Sequence, residues 1–139
     1  MKNNWSNLEA KQYIKKYTKL GHSKDMALRV YTTRLLGRNS KLVLHGGGNT
    51  SVKTSIKDID GKHYDVLCVK GSGWDMAEIE PAGLPAVKLN PLLAFKNKKY
   101  LSDEDMVAYQ KRNLIDIKSP NPSVETFLHA FLPFKFVDH

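Results

Sequence analysis

A three-layer α/β sandwich, with a central, mainly antiparallel or mixed sheet flanked by helices, is the fold class this sequence predicts. Two helix-patterned segments precede a block of strand-like runs, and further helix-patterned segments follow it. The strand-to-strand connections are short, as antiparallel neighbours require. Small-residue, glycine-rich loops sit at the ends of two of the strands.

The elements follow in order. Ser6-Asn7-Leu8-Glu9 has the form of a capping box and opens a helix reaching about Leu20, before Gly21. Ser23 caps a second helix with apolar positions at Met26, Leu28, Val30, Leu35 and Leu36, ending at Gly37. Strands are expected at about 41–45, 50–57 and 63–69, the last two joined by a turn at Asp58-Ile59-Asp60-Gly61. A loop through Pro81 and Pro85 leads to a short strand at Ala86-Val87-Lys88-Leu89, then a helical turn over about 91–95. Ser102-Asp103-Glu104-Asp105 caps a helix running to about Asn113. Prolines at 120 and 122 stop any earlier helix, and Ser123 is the expected N-cap of a last helix over about 124–132. Phe134 to Val137 reads as a strand aimed at His139. No internal repeat, linker or low-complexity tract marks a second domain.

The chemistry concentrates in three loops. Leu42-Val43-Leu44-His45 runs into Gly46-Gly47-Gly48-Asn49-Thr50-Ser51. Consecutive glycines have no side chains to pack and a high entropic cost, which a fold accepts where backbone must turn sharply or approach a ligand. Asp65 to Lys70 enters a second such loop, Gly71-Ser72-Gly73-Trp74-Asp75-Met76, and Pro120-Asn121-Pro122-Ser123-Val124-Glu125-Thr126 forms a third. Exposed amides and hydroxyls in such loops suit an anion such as a phosphate, and a helix start adds partial positive charge. A plain turn with spare glycines is the competing reading for the first loop, since neither the dinucleotide pattern nor the P-loop pattern is present.

In their order and wording these blocks resemble the class II aldolase/adducin family. The resemblance rests on His45-Gly46-Gly47-Gly48-Asn49-Thr50-Ser51, Val69-Lys70-Gly71-Ser72-Gly73-Trp74-Asp75-Met76, Pro122-Ser123-Val124-Glu125-Thr126-Phe127-Leu128-His129 and Phe136-Val137-Asp138-His139, and spans roughly residues 25–139. Within the family it is most similar to the L-rhamnulose-1-phosphate aldolase branch, which includes bifunctional aldolase/short-chain dehydrogenases. The resemblance implies that Gly48, Asn49, Ser72, Gly73 and Ser123 hold the substrate phosphate. Val124 stands where other branches have a second serine. Glu125 matches the acid/base glutamate, and His139 matches the first histidine of a His-x-His zinc pair. The implied fold is a central sheet covered by helices, and the implied assembly is a homotetramer with active sites at subunit interfaces.

The implied reaction is retro-aldol cleavage of a deoxy-ketose 1-phosphate, such as rhamnulose 1-phosphate, to dihydroxyacetone phosphate and lactaldehyde. A zinc ion held by histidines would stabilise the enediolate charge. A carboxylate near the reacting carbon would move the proton, a role worth about 10²–10⁴-fold in rate. Taken without the resemblance, Glu125 reads first as an acidic residue complementing a helix dipole. The sequence stops at His139, before the family's second and third zinc histidines. The expectation is therefore that residues 1–139 form the N-terminal part of an aldolase domain, with an incomplete zinc site and no turnover alone. The alternative function is a non-catalytic adducin-like binding or assembly module.

Composition excludes other classes. A 139-residue chain that is 41% hydrophobic suffices for one core. No apolar run approaches the length of a membrane span, and the N-terminus lacks a signal-peptide core. The single cysteine, Cys68, lies in an apolar run and reads as a small buried hydrophobe, and a cytoplasmic setting is expected. The net charge of +8 is scattered rather than gathered into an aromatic-basic module, which disfavours nucleic acid and favours attraction of an anionic sugar phosphate. His45 and His129 adjoin the matched blocks but read first as packed residues. His22 and His63 read as solvent-facing, and Trp74 as a wall beside the second loop.

Overall fold

The computed structural model describes residues 2–98 and 100–139. Helices α1 (Asn7–Lys19) and α2 (Lys24–Gly37) lead to strands β1 (Thr50–Lys57) and β2 (His63–Val69). Two short 3₁₀ turns, Met76–Glu78 and Pro81–Gly83, precede β3 (Ala86–Lys88). The remainder is α3 (Leu89–Leu93), α4 (Asp103–Arg112), α5 (Thr126–Phe131) and β4 (Phe136–Asp138). The sheet runs β3-β2-β1-β4 and every pairing in it is antiparallel.

Alternation along β2 builds the two faces. Val66 and Cys68 pack with Val52 of β1 against Tyr17, Met26, Ala27 and Val30 of α1 and α2. Leu67 and Val69 point the other way, onto Val87, Leu92, Leu114 and Ala130, with Phe127 and Phe131 of α5 alongside. Neighbouring strand residues face opposite sides, so one apolar run fills both cores. The result is the expected three-layer sandwich. Cys68 is fully buried, and burial pushes its thiol up to about 12, which suits a packing role.

The first helix starts as read, with Ser6 Oγ accepting from Glu9 N. The capping box closes through a relay: Ser6 N donates to the Tyr31 hydroxyl, which donates to Glu9 Oε2. Tyr31 thereby joins α1 to α2.

Three expectations need correction. The 41–45 segment is no strand: Leu42 and Val43 donate to the Asn39 carbonyl, and Leu44 is 79% exposed. Among the described residues it has no partner strand, and local turns take up its backbone groups. Gly37 ends α2 as expected, and a Cβ there would come 2.4 Å from the Ala77 backbone nitrogen. Glycine is needed there for close approach of the 76–78 turn. Ser123 is not the N-cap of α5. Glu125 holds that position, while Ser123 Oγ accepts from Glu125 N and its carbonyl accepts from Thr126 N. With only six residues in α5, its dipole adds little to anion attraction. Finally, β4 begins at Phe136, two residues later than expected.

Candidate functional site

The three loops meet at one end of the sheet. Gly71 pairs with Pro122 across the second and third loops, Ser72 N donates to Asn121 O, and Ser123 N donates to Lys70 O. The first loop is tied to the chain end by reciprocal Asn49–His139 backbone hydrogen bonds of 2.8 and 2.9 Å. Gly48, with φ +73, is wedged so closely that a Cβ would lie 2.5 Å from Met76 Sδ. Gly71 likewise lies against Pro120.

Between the loops lies a cavity of about 460 Å³ lined by Gly46 to Asn49, Lys70 to Gly73, Ser123 to Glu125, and His139. All seven residues singled out from the sequence, Gly48, Asn49, Ser72, Gly73, Ser123, Glu125 and His139, border this one space. Their donor groups differ from the expectation. The amides of Asn49, Ser72 and Ser123 are spent on joining the loops, whereas those of Gly48 and Gly73 make no hydrogen bond among the described residues.

Asn49 sits at the centre. Its Nδ2 donates to Ser123 Oγ and to Glu125 Oε2, each at 2.7 Å, while its Oδ1 is buried without a partner. Ser123 Oγ adds a 3.3 Å contact to the same carboxylate oxygen. Glu125 Oε1 faces His139 Nδ1 at 3.4 Å. The Asn49 hydrogen bond, opposed by partial burial and aided by His139, holds the Glu125 carboxyl below the ordinary glutamate range.

His129 lies behind them and is fully buried. Its Nδ1 is 2.8 Å from Ser51 Oγ, and its Nε2 has no partner. Burial lowers its pKa, which keeps the ring neutral near pH 7. Ligand atoms of Glu125, His129 and His139 all lie within 4.8 Å of one another. Two imidazoles and a carboxylate, one imidazole with an orphaned buried nitrogen, form a donor set that fits a borderline divalent ion such as zinc. Asp138 is turned away to Arg29 Nη2, at 2.7 Å.

Sequence reasoning gave His129 its packed reading and missed Lys70. Lys70 is 8% exposed and lines the cavity, and burial lowers its pKa despite the opposing pull of Asp75 and Glu125. The signal available was its place between a buried strand and a glycine loop. His45, by contrast, is 92% exposed and bridges to Asp75, so it is neither a packed residue nor part of the cluster. Trp74 is a wall of the first core, seated over Gly83, where a Cβ would come 2.6 Å from its ring.

Comparison with known proteins agrees with this geometry. Residues 27–139 match the family described as the class II aldolase and adducin N-terminal domain. The chain is 44% identical over 110 residues to an uncharacterized oxidoreductase, YuxG, of Bacillus subtilis (strain 168), covering 79% of this chain and 16% of that protein. It superposes with a TM-score of 0.85 and 40% identity on the N-terminal class II aldolase domain of a conserved protein from Thermoplasma acidophilum, covering all of this chain and 59% of that one. The chain thus spans a minor part of the curated relative and about three-fifths of the solved one. With the family's span enclosing all three loops and the Glu125–His129–His139 cluster, the chain belongs to the class II aldolase and adducin family.

Proposed function

We propose that this domain serves a zinc-dependent retro-aldolase acting on a deoxy-ketose 1-phosphate of the rhamnulose 1-phosphate type. The observation that carries the reading is the convergence of the glycine loops, Lys70 and the Glu125–His129–His139 cluster on one cavity. The retention of that cluster favours this reading over a non-catalytic adducin-like module.

The phosphate would rest against Gly48, Ser72, Gly73 and Ser123, with Asn49 at its edge and the Lys70 ammonium adding charge. Asn49 already gives both amide hydrogens to Ser123 and Glu125. Meeting the anion would require it to release the Ser123 hydroxyl, so its resting work is orienting Glu125. Such remote binding holds the sugar chain with its reacting carbons toward the cluster. His129 and His139 would hold the metal, with Glu125 as the third donor within reach. When bound, the ion supplies Lewis acidity for negative charge on neighbouring oxygens. As C3–C4 breaks, the Glu125 carboxylate takes the C4 hydroxyl proton, the electron pair stays on the dihydroxyacetone phosphate fragment, and C4 becomes the lactaldehyde carbonyl carbon. Glu125 returns a proton to C3 through Oε1, because Oε2 is engaged by Asn49 and Ser123. The natural setting would be a homotetramer in the cytoplasm. Among the described residues no helix is long and apolar enough to cross a membrane.

The test is binding mapped to the cavity. Dihydroxyacetone phosphate added to the ¹⁵N-labelled chain should shift the amides of Gly48, Ser72 and Gly73. Stoichiometric zinc should perturb His129 and His139. If neither addition moves these residues, the aldolase reading fails.

A further inference from the structure

One side chain of α2 meets every residue of β4. The Arg29 guanidinium, 1% exposed, pairs with Asp138 through Nη2 at 2.7 Å and donates from Nη1 to the Val137 carbonyl at 3.4 Å. Its central carbon lies 5.5 Å from the centre of the Phe136 ring. Nη1 also donates to the Ser51 carbonyl of β1 at 3.2 Å, so the fork spans both strands. Alternation along β4 gives this grip its consequence. Phe136 and Asp138 lie on the face turned to α2, so Val137 and His139 point to the other face, where Glu125 Oε1 stands 3.4 Å from His139 Nδ1. The reciprocal backbone bonds of His139 with Asn49 carry the same placement into the first loop, and Asn49 in turn holds the Glu125 carboxylate.

Stability alone does not account for a charge in this place. Burial lowers the Arg29 pKa against the pull of Asp138, and its Nε is buried with no partner among the described residues. A buried ion pair commonly gives no more stability than apolar side chains of similar volume. What the planar fork adds, and an apolar side chain lacks, is a fixed direction toward several acceptors at once. A second tie between α2 and the entry to β4, Lys135 to Asp25 at 3.0 Å, lies one residue before the strand and joins neither Asp138 nor His139.

We infer that Arg29 is a positioning residue of the site: by gripping Phe136, Val137 and Asp138 from the α2 side of the sheet, it holds β4 so that His139 is presented to Glu125 on the other side. The inference deepens the metal reading of His139 and rests on it only for the affinity measurement described next.

Zinc affinity, measured by competition with a chromophoric chelator, should fall about tenfold in Arg29→Lys, whose single ammonium does not serve Asp138 and two carbonyls together. It should fall as far in the double variant Arg29→Met, Asp138→Leu, while thermal unfolding stays within a few degrees of wild type. Wild-type affinity in both variants, or losses that only follow unfolding, would overturn the inference. Should the double variant not fold, Arg29→Lys decides alone. Asp25→Asn, which removes the neighbouring tie, should leave the affinity unchanged, and an equal loss there would overturn the inference as general loosening. Metal-free spectra give an independent readout. Overhauser contacts between the His139 ring and the Glu125 side chain should be present in wild type and lost in the Arg29 variants. Their absence from wild type, or their persistence in the variants, would overturn the inference. If the wild-type chain takes up no zinc, the metal reading fails by itself, and these spectra still judge Arg29.

Discussion

Replacing Asn49 by alanine should disturb Glu125 more than any other single change in the loops. The carboxamide donates two 2.7 Å hydrogen bonds, one to a carboxylate, and is itself nearly fully buried. A hydrogen bond to a charged partner contributes about 1.5–3 kcal/mol, and the exposure of the Glu125 side chain places the loss toward the lower figure. With an unfolding entropy of roughly 2.1 cal/mol/K per residue, the Tm should drop by about 5–10 °C for a domain of this size. The pH dependence has a definite sign. The folded-state pKa of Glu125 is depressed, so its contribution is present above the unfolded carboxyl value, near about 4.3, and is lost as pH falls through the folded value. The wild-type advantage over Asn49→Ala should accordingly be full at pH 7 and shrink in acid. Asn49→Asp should be worse at neutral pH, because two carboxylates would be placed in contact. Thermal unfolding at pH 7 and in acid measures the first effect, and ¹³C titration of the Glu125 carboxyl measures the rise toward its ordinary pKa. A Tm change under about 1 °C together with an unmoved Glu125 titration would refute the role given to Asn49.

Three further outcomes are expected. Lys70→Met should weaken phosphate binding about tenfold or more and flatten its salt dependence in calorimetry, because a buried cation facing the cavity is removed. Gly37→Ala should destabilise the chain by about 1–3 kcal/mol in urea unfolding, since the new methyl meets Ala77 and Met76 backbone rather than a yielding side chain. Glu125→Gln in a catalytically active form should lower kcat by at least about 10²-fold even at saturating zinc, with occupancy counted by metal analysis. Near-normal turnover there would remove Glu125 from proton transfer.

Much of the site was legible because its backbone requirements are local. Gly48 and Gly73 both adopt positive φ, and runs of small residues at strand ends announce such loops without knowledge of the fold. The capping serines at 6, 23 and 102 were equally plain, since each bonds an amide only three residues ahead. The 41–45 segment misled for the complementary reason. A short apolar run forms a strand only if a neighbour supplies hydrogen bonds, and among the described residues none lies beside it. Gly37 does end its helix as read, but the close approach of the 76–78 turn, which also requires a glycine there, was not legible.

The sequence by itself determined the two-faced burial of β2, the antiparallel layering, the three loops and the residue types they bring. These follow from periodicity and turn chemistry, which act over a few residues. Only the tertiary structure decided which polar atoms meet. Asn49 and Glu125 are 76 residues apart in the chain, and Ser51 and His129 are 78 apart. Lys70 faces the cavity because β2 delivers it there beside a loop from the far end of the chain. His129 changes from a packed ring to a member of the cluster because α5, pinned by Lys53, brings it beside Glu125 and His139. Long-range packing places these groups within hydrogen-bonding distance, and no local pattern in the chain encodes that proximity.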